Sequence, residues 1–358
     1  MKIQLHVNDV DEELLMRVME IRFAEKSITT PIKSLNRTIP VAGLNEVFHR
    51  IDLEKLSLIS SDASEEMKFN TSARRERKDD MINLFFLSYK EDRVPGKNAM
   101  STLVDLQYVN SDVAIMPLCP ELIKSHEGEH LINNFILYIE EYLKIVETLN
   151  NKTIVGIIPA RLPRQFLPTV LELYHSHDVT SFVIDSDGSS LYSNPSWIKA
   201  LQRGLHSLSI LDEGFIYNMN SFEGRFSGKA NVTLARDFVT LTFGMDILGA
   251  NHKPSVIPAE RRIKMDNSQK GARLFDPQTY GYTRDPSQEM KTAKMRNLLA
   301  QYREALKIQS VINEEGTASR YFQRKTQVME NKVLDRVREV KIDLTESRIQ
   351  RSLFDNFE

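Results

Sequence analysis

The stretch TIVGIIPARLPRQFLPTVLELYHSHDVTSFVIDSD, from Thr153 to Asp187, decides the fold. Two short β-rich apolar runs, Thr153 to Ile158 and Thr180 to Asp185, flank Phe166 to His175, whose apolar residues follow helical spacing. A strand, a helix and a second strand at this interval read as one βα unit of a parallel sheet. Working outward, further runs lie at Leu56 to Ser60, Met81 to Tyr89, Val113 to Pro117 and Ser207 to Asp212. Between them the clearest helix spans Leu131 to Glu147, and Ser196 to Arg203 is a shorter one. Adding Lys2 to Val7 or Ile28 to Leu35, and a run near Met245 to Leu248, gives roughly eight strands. The fold expected is α/β, a (β/α)8 TIM-type barrel over residues 1–252 with a C-terminal helical extension. An open doubly wound sheet ranks lower because the Gly-rich first turn is missing.

The chain has 358 residues, of which 41% are hydrophobic and 27% charged, enough for a sizeable core and unlike a disordered chain. Cys119 is the only cysteine, which excludes an intramolecular disulfide framework and zinc sites built on two or more thiolates. No cofactor motif is present. The N-terminus lacks a basic and apolar leader, and no apolar stretch reaches transmembrane length, so the expected location is cytoplasmic, with no membrane partner.

After Ala250 the texture changes. Residues 253–290, with Pro254, Pro258, Pro277, Pro286, Gly271 and Gly281, read as an irregular basic excursion. Residues 291–358 read as a helical segment, with long helices at Met290 to Ile312 and Tyr321 to Ile342 broken at Asn313 to Gly316. The net charge of −2 is unevenly spread: residues 253–351 carry 21 Lys and Arg against 13 Asp and Glu. Such a basic third suits a polyanion, with Arg261, Arg262, Lys264, Lys270 and Arg273 as candidate phosphate contacts; the plainer alternative is a solvated helical surface.

In a barrel of this kind, polar residues at the carboxyl ends of strands point into the shared mouth. Asp62, Asp185, Asp187, Asp212 and Asp246 fall at or near such ends, where a carboxylate serves as base, nucleophile or base-edge acceptor, or simply caps a helix. Arg161 and Arg164 follow the Thr153 strand and suit an anionic group. His126 to His130 matches H-E-x-x-H, but Gly128 weakens a helix there and Glu129 adds a charge, so no metal is expected.

Several of these stretches, taken in order, resemble the tRNA-guanine transglycosylase family, barrel enzymes that exchange guanine for a 7-deazaguanine base. Ser27 to Pro31, Leu56 to Asp62, Gln107 to Met116, Ile154 to Ile158, Phe182 to Ile184, Phe243 to Ile247 and Arg273 to Phe275 carry the resemblance. It implies base exchange on tRNA or DNA, with Asp62 and Gln107 contacting the base. The family's catalytic aspartate falls at Gly249, its second base-recognising aspartate near Leu118, and its zinc cysteines are absent. A rebuilt site would draw on Asp185, Asp187 or Asp246. Two alternatives stand beside it. One is a small-molecule lyase or hydrolase using Asp185 and Asp187 with Arg161 or Arg164 on an anionic substrate; the other is a catalytically silent nucleic-acid-binding or partner subunit. The sequence leaves the oligomeric state open.

Overall fold

A computed structural model describes residues 2–35, 43–149, 151–227, 230–253 and 271–355, the last nine by backbone only. The chain opens with an antiparallel meander, β1 (Gln4–Val10), β2 (Arg17–Phe23) and β3 (Lys26–Thr29). Parallel strands follow: β4 (Ile32–Lys33), β5 (Leu44–Ile51), β6 (Ile82–Tyr89), β7 (Ala114–Ile115), β8 (Ile154–Pro159), β9 (Ser181–Asp185) and β10 (Ile216–Met219). After the short β11 (Val232–Leu234) comes β12 (Ile247–Leu248), again parallel. The protein is thus a mixed α/β fold whose main sheet has six parallel strands in the order β4-β12-β10-β9-β8-β7. β5 and β6 form a parallel pair of their own, joined to β4 by a Leu35–Asn45 bridge and to the end of β7 by a Ser88–Leu118 bridge.

Helices connect these strands: α1 (Leu53–Ser61), α2 (Ala63–Glu76), α3 (Lys97–Asn110), α4 (Pro120–Ser125), α5 (Gly128–Leu149), α6 (Leu167–His175) and α7 (Pro195–Ser207). The βα unit expected over Thr153 to Asp185 is β8, α6 and β9, and strands also form within the Met81, Val113 and Met245 runs. β6 is buried along its whole length, which is why it reads as a continuous apolar run.

Two expected strands are corrected. Leu56 to Ser60 belongs to α1: Asp52 caps it by accepting from Lys55 N at 2.9 Å, and Leu56 and Ile59 turn one face inward. Asp62, expected at a strand end, is instead the N-cap of α2, accepting from Ser64 N at 2.8 Å. Ser207 to Asp212 runs from the end of α7 into a 3-10 turn, Ile210–Asp212, and the strand begins later, at Ile216. Just before it the chain passes close to Thr180 at Gly214, where a Cβ would meet Thr180 O at 1.7 Å, an approach only glycine allows.

The segment expected to be irregular holds two strands, β13 (Ala272–Asp276) and β14 (Gly281–Asp285), which with β11 form an antiparallel sheet in the order β11-β14-β13. Arg273 lies in β13; Arg261, Arg262, Lys264 and Lys270 lie outside the described residues. The C-terminal helical region begins with α8 (Met290–Glu315), ended by Gly316 in the left-handed region at φ 72°. The second long helix expected is three: α9 (Ser319–Gln323), α10 (Thr326–Glu330) and α11 (Val333–Asp355). Gln309 of α8 donates to Thr29 O and Pro31 O at 2.7 and 2.9 Å, fixing this region to the start of the parallel sheet. One apolar core runs from the meander through the sheet to α11, and a smaller one lies beneath β5 and β6. No helix among the described residues is long and apolar enough to cross a membrane.

Candidate functional site at the strand ends

Asp185 is the last residue of β9 and is 4% exposed. Parallel register sets it level with Pro159 of β8 and Met219 of β10, so the loops leaving those strands surround it. Its Oδ1 accepts from Asn220 Nδ2 at 2.8 Å and from Asp187 N at 3.0 Å. Burial raises its pKa, more than the Asn220 hydrogen bond and the Lys253 charge lower it.

Two residues on, Asp187 adopts φ 45° ahead of Gly188 at φ 76°, a sharp turn that folds its carboxylate back toward the strand ends. Three cations from three connections meet that carboxylate. Arg161 Nε from the loop after β8 stands at 2.5 Å, Lys124 Nζ of α4 at 3.7 Å, and Lys253 from the chain after β12 pairs with it. Between Cys119, Pro159, Asp185 and Asp187 remains a crevice of about 10 Å³, room for about one water. Beyond Arg161 opens a cleft of about 700 Å³, bounded by Lys124, His126, Arg161, Arg164 and Trp197.

A second polar cluster occupies the other half of these strand ends. Glu46 of β5, its side chain 2% exposed, accepts from Ser34 Oγ at 2.7 Å and Ala250 N at 3.0 Å, and also from Tyr217 OH and His252 Nε2. Beside it, Lys33 is buried and donates to Gly249 O; burial lowers its pKa against the charges of Glu46, Asp237 and Glu223. Asn220 joins the clusters, donating to Asp185 while its Oδ1 accepts from His252 N at 2.9 Å.

The remaining sequence-derived candidates lie elsewhere. Gln107 faces inward from α3 and donates to Phe85 O and Val113 O, tying β6 to the start of β7. Asp246 precedes β12 at the opposite ends of the strands, where Arg17 grips it through Nε at 2.8 Å and Nη2 at 2.6 Å, and Ile216 N donates at 2.7 Å. Asp212 lies in the 3-10 turn before β10. His126 ends α4, whereas His130 is inside α5 beyond Gly128 at φ 56°, so the two do not share a helix. Among the described residues, no three His, Cys, Asp or Glu side chains gather as a metal site requires.

Lys124, Asn220, Lys253, Glu46 and His252 were not singled out from the sequence. Asn251-His252-Lys253 follows β12 after two intervening residues, and that position was the available signal for two of them. Glu46 lies inside β5, a strand whose mixed residues, LNEVFHRI, show no clean period. No family model matches the chain, and no curated protein matches it.

Proposed function

We propose that the eight parallel segments close into a (β/α)8 barrel and that its mouth binds a small anionic substrate, a carboxylate or phosphate ester, for lyase or hydrolase chemistry. Closure is supported by the two bridges that join β5 and β6 to both edges of the six-stranded sheet. What carries the functional reading is Asp187, whose carboxylate holds Lys253 together with Arg161 and Lys124, two residues that line the large cleft. Lys124 also pairs with Glu121 at 3.0 Å, and a guanidinium with two ammonium groups suits a planar or tetrahedral oxyanion. Asp185, buried beside them with a raised pKa, is the group placed to give or take a proton. A cytoplasmic location belongs to the same proposal.

Calorimetry with succinate at constant ionic strength tests this. Millimolar or tighter binding is expected. Arg161→Ala should weaken it about tenfold, the loss of one charge-assisted contact, and Asp187→Asn should strengthen it by freeing the cations. An unmutated protein that does not bind succinate would end the reading.

A second reading, a transglycosylase-like protein exchanging or holding a purine-like base in tRNA or DNA, is favoured by one observation. The Ile154 to Ile158, Phe182 to Ile184 and Ile247 stretches that carry the resemblance lie in parallel strands β8, β9 and β12 of one sheet. With glycine at 249, its nucleophile would have to be Asp185 or Asp187. Incorporation of labelled guanine into tRNA or DNA, lost in Asp185→Asn or Asp187→Asn, would support it. Nucleic-acid binding without incorporation would favour a silent subunit.

A further inference from the structure

β13 and β14 place Arg273 directly opposite Arg284. Both guanidiniums lie over the ring of Phe226, 5.3 and 4.1 Å from its centroid, and Arg273 also approaches Phe222 at 5.8 Å. Like charges at facing positions of an antiparallel pair repel one another.

Arg273 is partly compensated, donating from Nη1 to Gly224 O at 2.6 Å and standing 3.5 Å from the Glu223 carboxylate. Arg284 is not: among the described residues no carboxylate comes within ion-pair distance of it. The ring beneath it attracts the cation but leaves its positive charge in place. Partial burial, and then the neighbouring Arg273, pull its pKa below the ordinary arginine value. Among the described residues, Glu223 is thus the one carboxylate within ion-pair distance of either guanidinium, and both guanidiniums lie against the aromatic surface they share.

A neutral residue at either position would serve the sheet better. The arrangement is accounted for if a bound anion supplies negative charge between the two forks. Facing residues of an antiparallel pair have Cα atoms about 4.5–5.5 Å apart, which lets two guanidiniums converge on one tetrahedral group. Their fixed N–H forks match phosphate oxygens, and cation–π contact with Phe226 pre-orders them at low entropic cost.

We propose that Arg273 and Arg284 form a clamp for a phosphate group, carried either by a small phosphate monoester or by a phosphodiester chain. The clamp is on the antiparallel sheet, and its ligand contacts are independent of the Arg161–Asp187 cleft. One clamp residue was a candidate polyanion contact from sequence; the pairing with Arg284 comes from strand register alone.

The full chain should be titrated with inorganic phosphate at constant ionic strength, following both heat of binding and melting temperature. Binding is expected, weakened about tenfold or more in Arg284→Gln and in Arg273→Gln, and retained in Arg161→Ala. Arg284→Gln breaks no ion pair, so it should fold, and without phosphate it should melt no lower than the unmutated protein because a like-charge contact is gone. Phosphate affinity unchanged in Arg284→Gln would overturn the clamp, as would binding lost in Arg161→Ala alone, which would assign phosphate to the cleft and spare the proposed function. Competition then identifies the source. Displacement of phosphate by a 5′-mononucleotide but not by a short single-stranded oligonucleotide supports a monoester; displacement by the oligonucleotide, with salt dependence steeper than for phosphate, supports a phosphodiester chain.

Discussion

Glu46 and His252 are joined carboxylate to imidazole across the strand ends, and the His252 ring lies flat on Phe48, centroids 4.1 Å apart and planes 4° from parallel. The pair links the middle of β5 to the loop after β12, 206 residues away in sequence. The stacking leaves the imidazole few orientations, and the carboxylate fixes Nε2 as the donor.

Burial alone would raise the Glu46 pKa, but the hydrogen bond and charge of His252, the charge of Lys33 and the Tyr217 hydroxyl outweigh it and bring it down to about 2. A carboxylate lowered in the folded state adds stability above its unfolded pKa, lost as pH falls through the folded value. A fall from the ordinary value to about 2 corresponds to about 3 kcal/mol. Urea unfolding should therefore show stability falling between about pH 4.5 and pH 2, and Glu46→Gln should remove most of that slope while lowering stability at pH 7. A slope unchanged in the variant would contradict the role given to this carboxylate.

Asp185 behaves in the opposite sense. Burial raises its pKa, so its contribution to stability is full below the unfolded value, near 3.9, and is lost as pH rises through the folded one. Both of its hydrogen bonds are accepted at Oδ1, which an amide oxygen reproduces. Asp185→Asn should thus melt above the unmutated protein at pH 7 and converge with it below about pH 4. A lower melting temperature at pH 7 would show that the charged form is favoured in place.

Gly249 has no room for a side chain. A Cβ there would stand 2.6 Å from Tyr217 Cε1, 2.8 Å from Met219 Cβ and 2.9 Å from Glu46 Oε2. Gly249→Ala should destabilise by about 1–3 kcal/mol through overpacking. Gly249→Asp should cost more, because it sets a second carboxylate against Glu46. Chemical denaturation of the two variants checks the order.

Asp246 and Arg17 form a two-pronged buried pair at the ends of the strands opposite Asp185. Removing the acid leaves a buried guanidinium without its counter-charge. Asp246→Ala should cost about 3–5 kcal/mol, measured by urea unfolding, and leave succinate affinity at the mouth unchanged under conditions where the variant is folded. Lost affinity in a folded Asp246→Ala protein would move that residue into the site.

The legible parts of this chain share a physical cause. β6, β8 and β9 are mostly apolar because neighbours cover both faces, and α5 repeats Leu131, Phe135, Tyr138, Tyr142 and Val146 inward at helical spacing, so composition and period reveal them without any partner. Asp185 and Arg161 were legible for the same reason, one ending a recognisable strand and the other two residues beyond one. Leu56 to Ser60 was misread because so short an apolar run carries no period, and the cap at Asp52 decides its form.

Residue identity and local period were enough for the Thr153 to Asp185 unit and for the side chains that leave its strands. The meeting of Asp187 with Lys124 and Lys253, of Glu46 with His252, and of Arg273 with Arg284 had to wait for strand order and register. Each involves partners on different elements, so no local repeat encodes it. Such contacts form only when β12 lies between β4 and β10 and β13 turns back on β14, an arrangement set by burial of the whole sheet.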